Sequence, residues 1–318
     1  MIVVTGGAGF VGSNLVWELN KRGRNDVVVV DNLTAAHKFR NLVGADIADY
    51  IDKEDFLSMV EGRSEALSDV EMISHQGACT STTESDGRYM MKNNHEYSKA
   101  LLEFCLERQV PLIYASSAAV YGGGTVFAED PANEAPLNVY GFSKLLFDLH
   151  VRRVLPEAGS QIVGLRYFNV FGPREAHKGA MASMVLQLDN QLAAGGKARL
   201  FGPTEGYGAG EQRRDFIFVR DVVDVNLFFM DHPDKSGIFT CGTGASRTFN
   251  DLAGEVVRLR GAGEIEYIPF PESLEGKYQS YTQADPTQLR AAGYAGDFTT
   301  LEEGIQQYLA WRREQIDE

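Results

Sequence analysis

Short runs of apolar residues recur through the first half of the chain, and stretches with helical spacing separate most of them. The runs lie at residues 2–5, 27–31, 70–74, 110–114 and 162–166. Such alternation is typical of a parallel sheet that is covered by helices on both faces. The pattern therefore predicts a doubly wound α/β fold, in which ligands bind at the carboxyl ends of the strands.

A weaker change from polar to apolar residues at 43–47 suggests one further strand, and residues 92–108 have the spacing of a helix that covers one sheet face.

The pattern becomes less regular after Pro173. A glycine-rich stretch at 195–212 is followed by the short apolar pieces FIFV, GIFT and IEYIPFP and by a last helix near 300–313. We expect a dinucleotide-binding domain at 1–170. Residues 171–318 then form mainly a smaller α/β substrate-binding region, with segments that return to the first domain and a cleft shared between the two.

Composition narrows the function classes. The 318 residues are 44% hydrophobic and 23% charged, and the net charge of −14 is dispersed, which argues against nucleic acid or an anionic membrane as partner. No apolar run approaches about 18 residues, and the first strand begins at Ile2, so we expect neither a membrane span nor a signal peptide, and a cytoplasmic protein. The three cysteines lack metal-ligand spacing, which favours reduced thiols and no metal site.

The first strand leads directly into a glycine turn. Gly6, Gly7, Gly9 and Gly12 satisfy both the GxGxxG and the GxxGxxG spacing, which lets a backbone approach a diphosphate at a helix N-terminus. The second strand, VVVVD, ends in Asp31, at the position where an acid contacts the ribose of a bound adenosine. Together these features predict a dinucleotide site.

A second group of residues carries acid–base chemistry. Tyr140 and Lys144 are four residues apart, so on a helix they face the same way. A nearby ammonium lowers a tyrosine pKa from about 10 towards neutrality, where the phenol can take and return a hydroxyl proton. Ser116 and Ser117 follow the apolar run at 110–114 and lie at the end of the strand that it predicts, where we expect their hydroxyls to polarise an alcohol.

Several motifs resemble those of a known superfamily. TGGAGFVG, VVVVDN, HQGACTSTTE, ASSAAVYGG, PLNVYGFSK and RYFNVFGPRE resemble the extended short-chain dehydrogenases/reductases. NVFGPREAHKGAMAS, RRDFIFVRDVVDVN, IEYIPFPESLEGKYQSYTQAD and LRAAGY closely resemble the ADP-glyceromanno-heptose 6-epimerase family, and this similarity covers nearly the whole chain. The chain is thus identified as a member of that family.

The resemblance implies a Rossmann-type fold, bound NADP and inversion of carbon 6 of ADP-D-glycero-β-D-manno-heptose. Inversion follows from transient oxidation to a ketone and reduction from the opposite face, and the product enters lipopolysaccharide inner-core biosynthesis. The resemblance also implies a homo-oligomer such as a homopentamer. The residues that match catalytic positions are Ser117, Tyr140, Lys144 and Lys178.

The resemblance also assigns binding residues. Cofactor positions are matched by Gly6, Gly9, Phe10, Val11, Gly12, Asp31, Asn32, Lys38, Lys53, Gln76, Gly77, Ala78, Cys79, Asn93, Lys144, Val170 and Lys178. Substrate positions are matched by Ser117, Asn169, Ala180, Gln187, Phe201, Arg214 and Tyr278. Ala180 and Gln187 replace the serine and histidine that are common in the family, and the loop between Phe201 and Arg213 is longer.

Three points stay open in the residues themselves. Asp31 alone would repel a 2′-phosphate and favour NAD, whereas Lys38 and Lys53 beside Asn32 would attract it, so we predict NADP. Lys178 is a second proton donor or a ligand contact. A UDP-sugar 4-epimerase would share Ser117, Tyr140 and Lys144, and a non-catalytic nucleotide sensor would share the fold. A 4,6-dehydratase is disfavoured, because Ala118 and Ala119 follow the serines where it needs a carboxyl pair.

Overall fold

A computed structural model describes residues 1–274, 276 and 278–316. Glu275 and Lys277, which belong to one of the family-like motifs, and the final residues 317–318 lie outside the described part. The strands are β1 (Ile2–Thr5), β2 (Val27–Asp31), β3 (Asp49–Asp52), β4 (Met72–His75), β5 (Leu112–Ser117), β6 (Ile162–Tyr167), β7 (Asn169–Phe171), β8 (Lys197–Phe201), β9 (Arg213–Phe218), β10 (Gly237–Cys241), β11 (Ser246–Thr248) and β12 (Glu264–Ile268).

The α-helices alternate with these strands. They are α1 (Phe10–Lys21), α2 (Lys53–Glu61), α3 (Gly87–Met91), α4 (Tyr97–Arg108), α5 (Val139–Val154), α6 (Met184–Gly195), α7 (Val219–Asp231), α8 (Phe249–Arg260), α9 (Thr287–Ala291) and α10 (Leu301–Ile316). A π-helical turn, Lys92–Glu96, joins α3 to α4. The helix that the sequence predicts at 92–108 is therefore present, with an irregular first turn.

Seven parallel strands form the main sheet, in the order β10-β6-β5-β4-β1-β2-β3. The order reverses direction between β1 and β4, and such a reversal opens a crevice for a ligand at the carboxyl ends of the strands. β1 and β2 are buried along their whole length because helices cover both faces of the sheet. The predicted Rossmann-type fold is confirmed.

The strand predicted at 43–47 is wrong. Gly44 has φ of +83°, Val43 is 64% exposed, and the third strand is instead Asp49–Asp52 at the edge of the sheet. An edge strand has one unpaired side and is only partly buried, so its sequence, DYID, carries no apolar run. Residues 49–52 form a strand because they pair with β2, and such pairing cannot be predicted from local hydrophobicity.

The later part of the chain builds two small sheets and completes the large one. β11, β9 and β7 form a three-stranded sheet, and β12 pairs with β8. The predicted pieces FIFV, GIFT and IEYIPFP lie in or begin at β9, β10 and β12, and β10 joins the edge of the main sheet beside β6. An apolar cluster formed by α6, α8 and α10 packs against β8 and β9. Residues of β7, β8 and β9 line the crevice together with the strand ends of the main sheet. Within the described residues, no helix combines the length and apolarity that crossing a membrane requires.

Candidate active site

A cavity of about 980 Å³ occupies the crevice between the main sheet and the later part of the chain. It is lined by almost all of the residues that the resemblance assigns to cofactor, substrate or catalysis. The exception is Gln187, which does not line the cavity. Its side-chain amide donates to the Gly179 carbonyl at 3.0 Å. The fold thus gathers residues from positions 6 to 278 into one site.

The glycine turn fits a dinucleotide for a steric reason. Gly6 has φ of +65°, and a Cβ there would lie 2.6 Å from the Gly77 nitrogen. A Cβ on Gly12 would lie 2.2 Å from the Gly6 carbonyl oxygen. Any larger residue would push the turn off β4 and α1, so the backbone at the N-terminus of α1 stays open to a diphosphate. Gly6, Gly9 and Gly12 line the cavity, whereas a Cβ on Gly7 would lie 2.8 Å from the Val4 carbonyl oxygen, away from the lining.

The acid at the end of β2 is already engaged by the protein. One Asp31 oxygen accepts the Ala8 backbone N–H at 2.9 Å, and the other forms an ion pair with Lys38, which also reaches Asn32. Lys53 donates at 2.7 Å to Asn93, which lies in the π-helical turn. The carboxylate is only 6% exposed. Its hydrogen bond to Ala8 holds the glycine turn in place, and its ion pair partly neutralises Lys38. Two ammonium groups remain at this end of the cavity.

The predicted acid–base pair lies at the start of α5. Asn138 caps the helix by accepting the Gly141 N–H at 2.9 Å, which places Tyr140 in the first turn and Lys144 one turn later. The Lys144 ammonium donates to the Ala115 carbonyl of β5 at 2.8 Å. Burial lowers the pKa of Lys144 to about 8, and the charge of a neighbouring carboxylate opposes the drop.

Two sequence expectations about this pair need correction. The pKa of Tyr140 is raised, because burial disfavours the phenolate, although the Ser117 hydroxyl acts in the opposite direction. Lys144, whose ammonium is bonded to the Ala115 carbonyl, is not among the groups that shift this pKa. Ser116 does not offer its hydroxyl to a substrate either, because it donates to the buried Asp148 at 2.9 Å. Adjacent residues of a strand face opposite ways, so only Ser117 turns towards Tyr140.

Lys178 enters the cavity on a closed loop. The buried Glu175 carboxylate accepts both the N–H and the hydroxyl of Ser183 at 2.6 Å, which ties the two ends of the loop together. Gly179, with φ of +54°, makes the turn that follows Lys178. The ammonium lies 5.3 Å from the centre of the Phe10 ring. Burial lowers the pKa of Lys178, while Glu175 raises it, so the environment partly favours the neutral amine that proton transfer requires.

The far end of the cavity is aromatic and carries one buried cation. The Arg214 guanidinium carbon lies 4.7 Å from the centre of the Tyr278 ring and 5.7 Å from that of Phe249. Phe201 meets Tyr278 edge to face at 6.0 Å. Arg214 is 5% exposed, burial lowers its pKa, and none of the described residues forms an ion pair with it. An anionic ligand would supply the missing charge.

One structural contributor was missed by the sequence interpretation. The Asn94 carboxamide pairs with both backbone groups of Cys79, at 2.8 and 2.9 Å, and also donates to Ser143, which lies between Tyr140 and Lys144. It thereby joins the cofactor edge of β4 to α5. The available signal was a polar residue on the apolar face of a helix, and the π-helical turn that presents it was not predictable from periodicity.

Comparison with known proteins agrees with this geometry. Residues 2–242 match the model of the NAD dependent epimerase/dehydratase family. The chain is 60% identical over 309 residues to an ADP-L-glycero-D-manno-heptose-6-epimerase from Alkalilimnicola ehrlichii, covering 97% of this chain and 96% of the relative.

Solved structures are similar along their full lengths. The ADP-L-glycero-D-manno-heptose-6-epimerase of Helicobacter pylori has a TM-score of 0.85 at 35% identity, covering 98% of this chain and 96% of the other. A UDP-glucose 4-epimerase from Thermus thermophilus in complex with NAD has a TM-score of 0.81 at 28% identity, covering 98% of each chain. The protein is therefore an isomerase, an epimerase of a family that depends on a nicotinamide dinucleotide. The chain belongs to the NAD dependent epimerase/dehydratase family and, as its sequence motifs predict, to the ADP-L-glycero-D-manno-heptose-6-epimerases within it.

Proposed function

We propose that the protein inverts carbon 6 of ADP-D-glycero-β-D-manno-heptose with the help of bound NADP, and that the product serves lipopolysaccharide inner-core biosynthesis. The observation that carries this proposal is the meeting of two proton-transfer groups in one cavity, Tyr140 on α5 and Lys178 on a separate loop. Because hydride transfer takes place on one side of the site, the ketone presents its two faces in turn and its oxygen occupies two positions; a proton-transfer group at each position serves the two half-reactions.

The residues divide the chemistry between them. A bound nicotinamide supplies reversible hydride transfer at carbon 6. Tyr140, supported by the Ser117 hydroxyl, removes and returns the proton of the carbon 6 hydroxyl in one orientation of the sugar. Lys178, whose pKa burial lowers, does the same in the other orientation. Lys144 lies one helical turn from Tyr140 with its ammonium bonded to the Ala115 carbonyl, and we expect its charge to favour the tyrosinate once cofactor and substrate fill the cavity.

The substrate diphosphate has a partner in Arg214. A guanidinium forms two parallel hydrogen bonds to a phosphate and keeps its charge when it is buried. Because Arg214 lies among Phe249, Tyr278 and Phe201, the site offers flat apolar surfaces beside the charge. Asn169 and Ala180 line the same cavity, and we assign the heptose to the part of it that they line.

We infer a preference for NADP over NAD from charge. Asp31, the residue expected to exclude a 2′-phosphate, has its oxygens occupied by Ala8 and Lys38. A phosphate dianion would meet Lys38, Lys53 and the Asn32 amide. Two ammonium groups against one shielded carboxylate leave a net attraction. We further propose a cytoplasmic homo-oligomer such as a homopentamer, which sedimentation equilibrium of the purified protein would test.

One experiment tests the reaction directly. The purified protein would be incubated with ADP-D-glycero-β-D-manno-heptose, and the configuration at carbon 6 would be followed by NMR. Parallel incubation with UDP-glucose tests the rival 4-epimerase activity. Appearance of the L-glycero product supports the proposal. Turnover of UDP-glucose alone would replace it by the 4-epimerase, and inactivity on both with retained nucleotide binding would favour a sensor.

A further inference from the structure

A group of buried charges lies directly behind the acid–base pair. Asp148 follows Lys144 by one turn of α5 and is 0% exposed. Its carboxylate accepts three hydrogen bonds of 2.9 Å, from the Tyr114 hydroxyl, the Ser116 hydroxyl and the Arg166 Nε. The three donors stand on β5 and β6, so Asp148 fastens α5 to two strands of the main sheet.

The two hydroxyl donors flank a functionally important carbonyl. Tyr114 and Ser116 are the neighbours of Ala115, and residues two apart on a strand project from the same face. The Ala115 carbonyl accepts the Lys144 ammonium at 2.8 Å. Asp148 therefore holds β5 immediately before and after the atom to which Lys144 is bonded. A shift of β5 relative to α5 would move that carbonyl and the ammonium with it.

The charges of the group balance, which explains how it persists inside the core. Arg166 pairs with Asp148 at 2.9 Å and with Glu134 at 2.5 Å, and Glu134 also pairs with Arg152. Two carboxylates thus face two guanidinium groups, and Arg166 further lies 5.0 Å from the centre of the Tyr121 ring. Buried ion pairs add little stability compared with apolar packing, but bonded groups fix geometry: both Asp148 oxygens accept hydrogen bonds, while Arg166 Nη1 has no partner among the described residues.

We propose that Asp148 is a positioning residue for catalysis: through Tyr114 and Ser116 it fixes the Ala115 carbonyl, and thereby the Lys144 ammonium beside Tyr140. This inference rests on the proposed function for the role of Lys144 in the reaction. The position of the ammonium is a property of the protein and is measurable without any substrate.

The test removes the two hydroxyls and leaves every charge in place. Replacing Asp148 itself would strand Arg166 without a carboxylate in the core, so a failure to fold would be uninformative. We therefore choose the double variant Tyr114→Phe with Ser116→Ala. Thr240→Val is the matched control, because Thr240 is equally buried and bonds the Tyr121 hydroxyl at 3.0 Å without touching Asp148 or β5.

Two readouts are compared for wild type, double variant and control. Steady-state kinetics with ADP-heptose should show kcat about tenfold lower in the double variant, with KM and cofactor content unchanged. Trace acetylation followed by mass spectrometry should show Lys144 more reactive relative to the exposed Lys21 in the double variant, since its ammonium is less firmly held. The control should match wild type in both.

The outcomes separate this inference from the proposed reaction. If wild type does not convert ADP-heptose, the reaction is wrong, and the acetylation ratio still decides the positioning role. If the double variant equals Thr240→Val in the acetylation ratio, or loses kcat no more than that control does, Asp148 is only a structural residue and the inference fails.

Discussion

The same substitution at Arg214 and at its neighbour Arg213 should have opposite effects on ligand binding and on stability. Arg214 and Arg213 are neighbours on β9, but only Arg214 lines the cavity. Its charge has no ion-pair partner among the described residues, and burial lowers its pKa. Arg213 instead donates to the Ser246 hydroxyl and carbonyl at 3.0 and 2.6 Å. We expect Arg214→Met to weaken substrate binding without weakening the fold, and Arg213→Met to do the reverse.

The magnitudes follow from the bonds that each change removes. A hydrogen bond to a charged group contributes about 1.5–3 kcal/mol, so losing one Arg214–phosphate bond should raise the dissociation constant for ADP about 10- to 150-fold. Methionine keeps the apolar stem against Tyr278 and removes a buried charge, so the melting temperature should stay the same or rise. Arg213→Met removes two hydrogen bonds and should cost roughly 1–3 kcal/mol of unfolding free energy.

Isothermal titration of ADP into each purified protein gives the dissociation constants, and thermal unfolding gives the stabilities. If Arg214→Met binds ADP within about threefold of wild type, a difference below about 1 kcal/mol, the guanidinium does not hold the diphosphate. A clear fall in its melting temperature would also refute the reasoning, because it would mean that the charge is compensated in the free protein.

Other residues of the cavity give further predictions. Tyr140→Phe should lower kcat about 10²- to 10⁴-fold while bound cofactor and circular dichroism stay unchanged, and near-normal turnover would exclude the phenol as acid–base group. Lys38→Met with Lys53→Met should reverse the NADP excess over NAD in cofactor released from denatured protein, because only the 2′-phosphate loses its partners. Lys178→Met should abolish inversion in both directions, whereas an effect on KM alone would make this lysine a ligand contact. Lys144, with a pKa of about 8, loses its charge as pH rises through that value, so kcat should fall above about pH 8. In Lys144→Arg, if active, that alkaline limb should move upward, because guanidinium stays charged; an unmoved limb would assign it to another group.

The lowered pKa of Lys144 also affects the stability of the protein. The folded pKa of Lys144, about 8, is below its ordinary value of 10.5, so the folded protein binds fewer protons than the unfolded chain between these values. Stability from this group therefore increases as pH rises through that window and is lowest below about pH 8. The charge to which we assign a catalytic role at neutral pH costs stability there, as is common for functional residues.

Much of the fold could be predicted from the sequence because its signals are local. The fully buried strands β1 and β2 are continuous apolar runs, and Gly12 is required by a backbone contact within the same turn, whereas Gly6 is required by its close approach to Gly77 after β4. Edge strands were harder, as β3 shows, since an edge strand is selected by pairing and needs no apolar run. Family motifs then identified the cavity residues, with Gln187 as the one that lies outside the lining.

The sequence by itself determined the Rossmann-type fold, the glycine turn before α1 and the placement of Tyr140 and Lys144 one turn apart on a helix, because each depends on residue type and short-range spacing. Only the tertiary structure decided which groups those residues meet. It turned Ser116 towards Asp148, bound Lys144 to the Ala115 carbonyl, paired Asp31 with Lys38 and buried Arg214 without an ion pair to any of the described residues. Burial and pairing partners set the charge and reactivity of a side chain, and they arise from contacts between segments far apart in sequence.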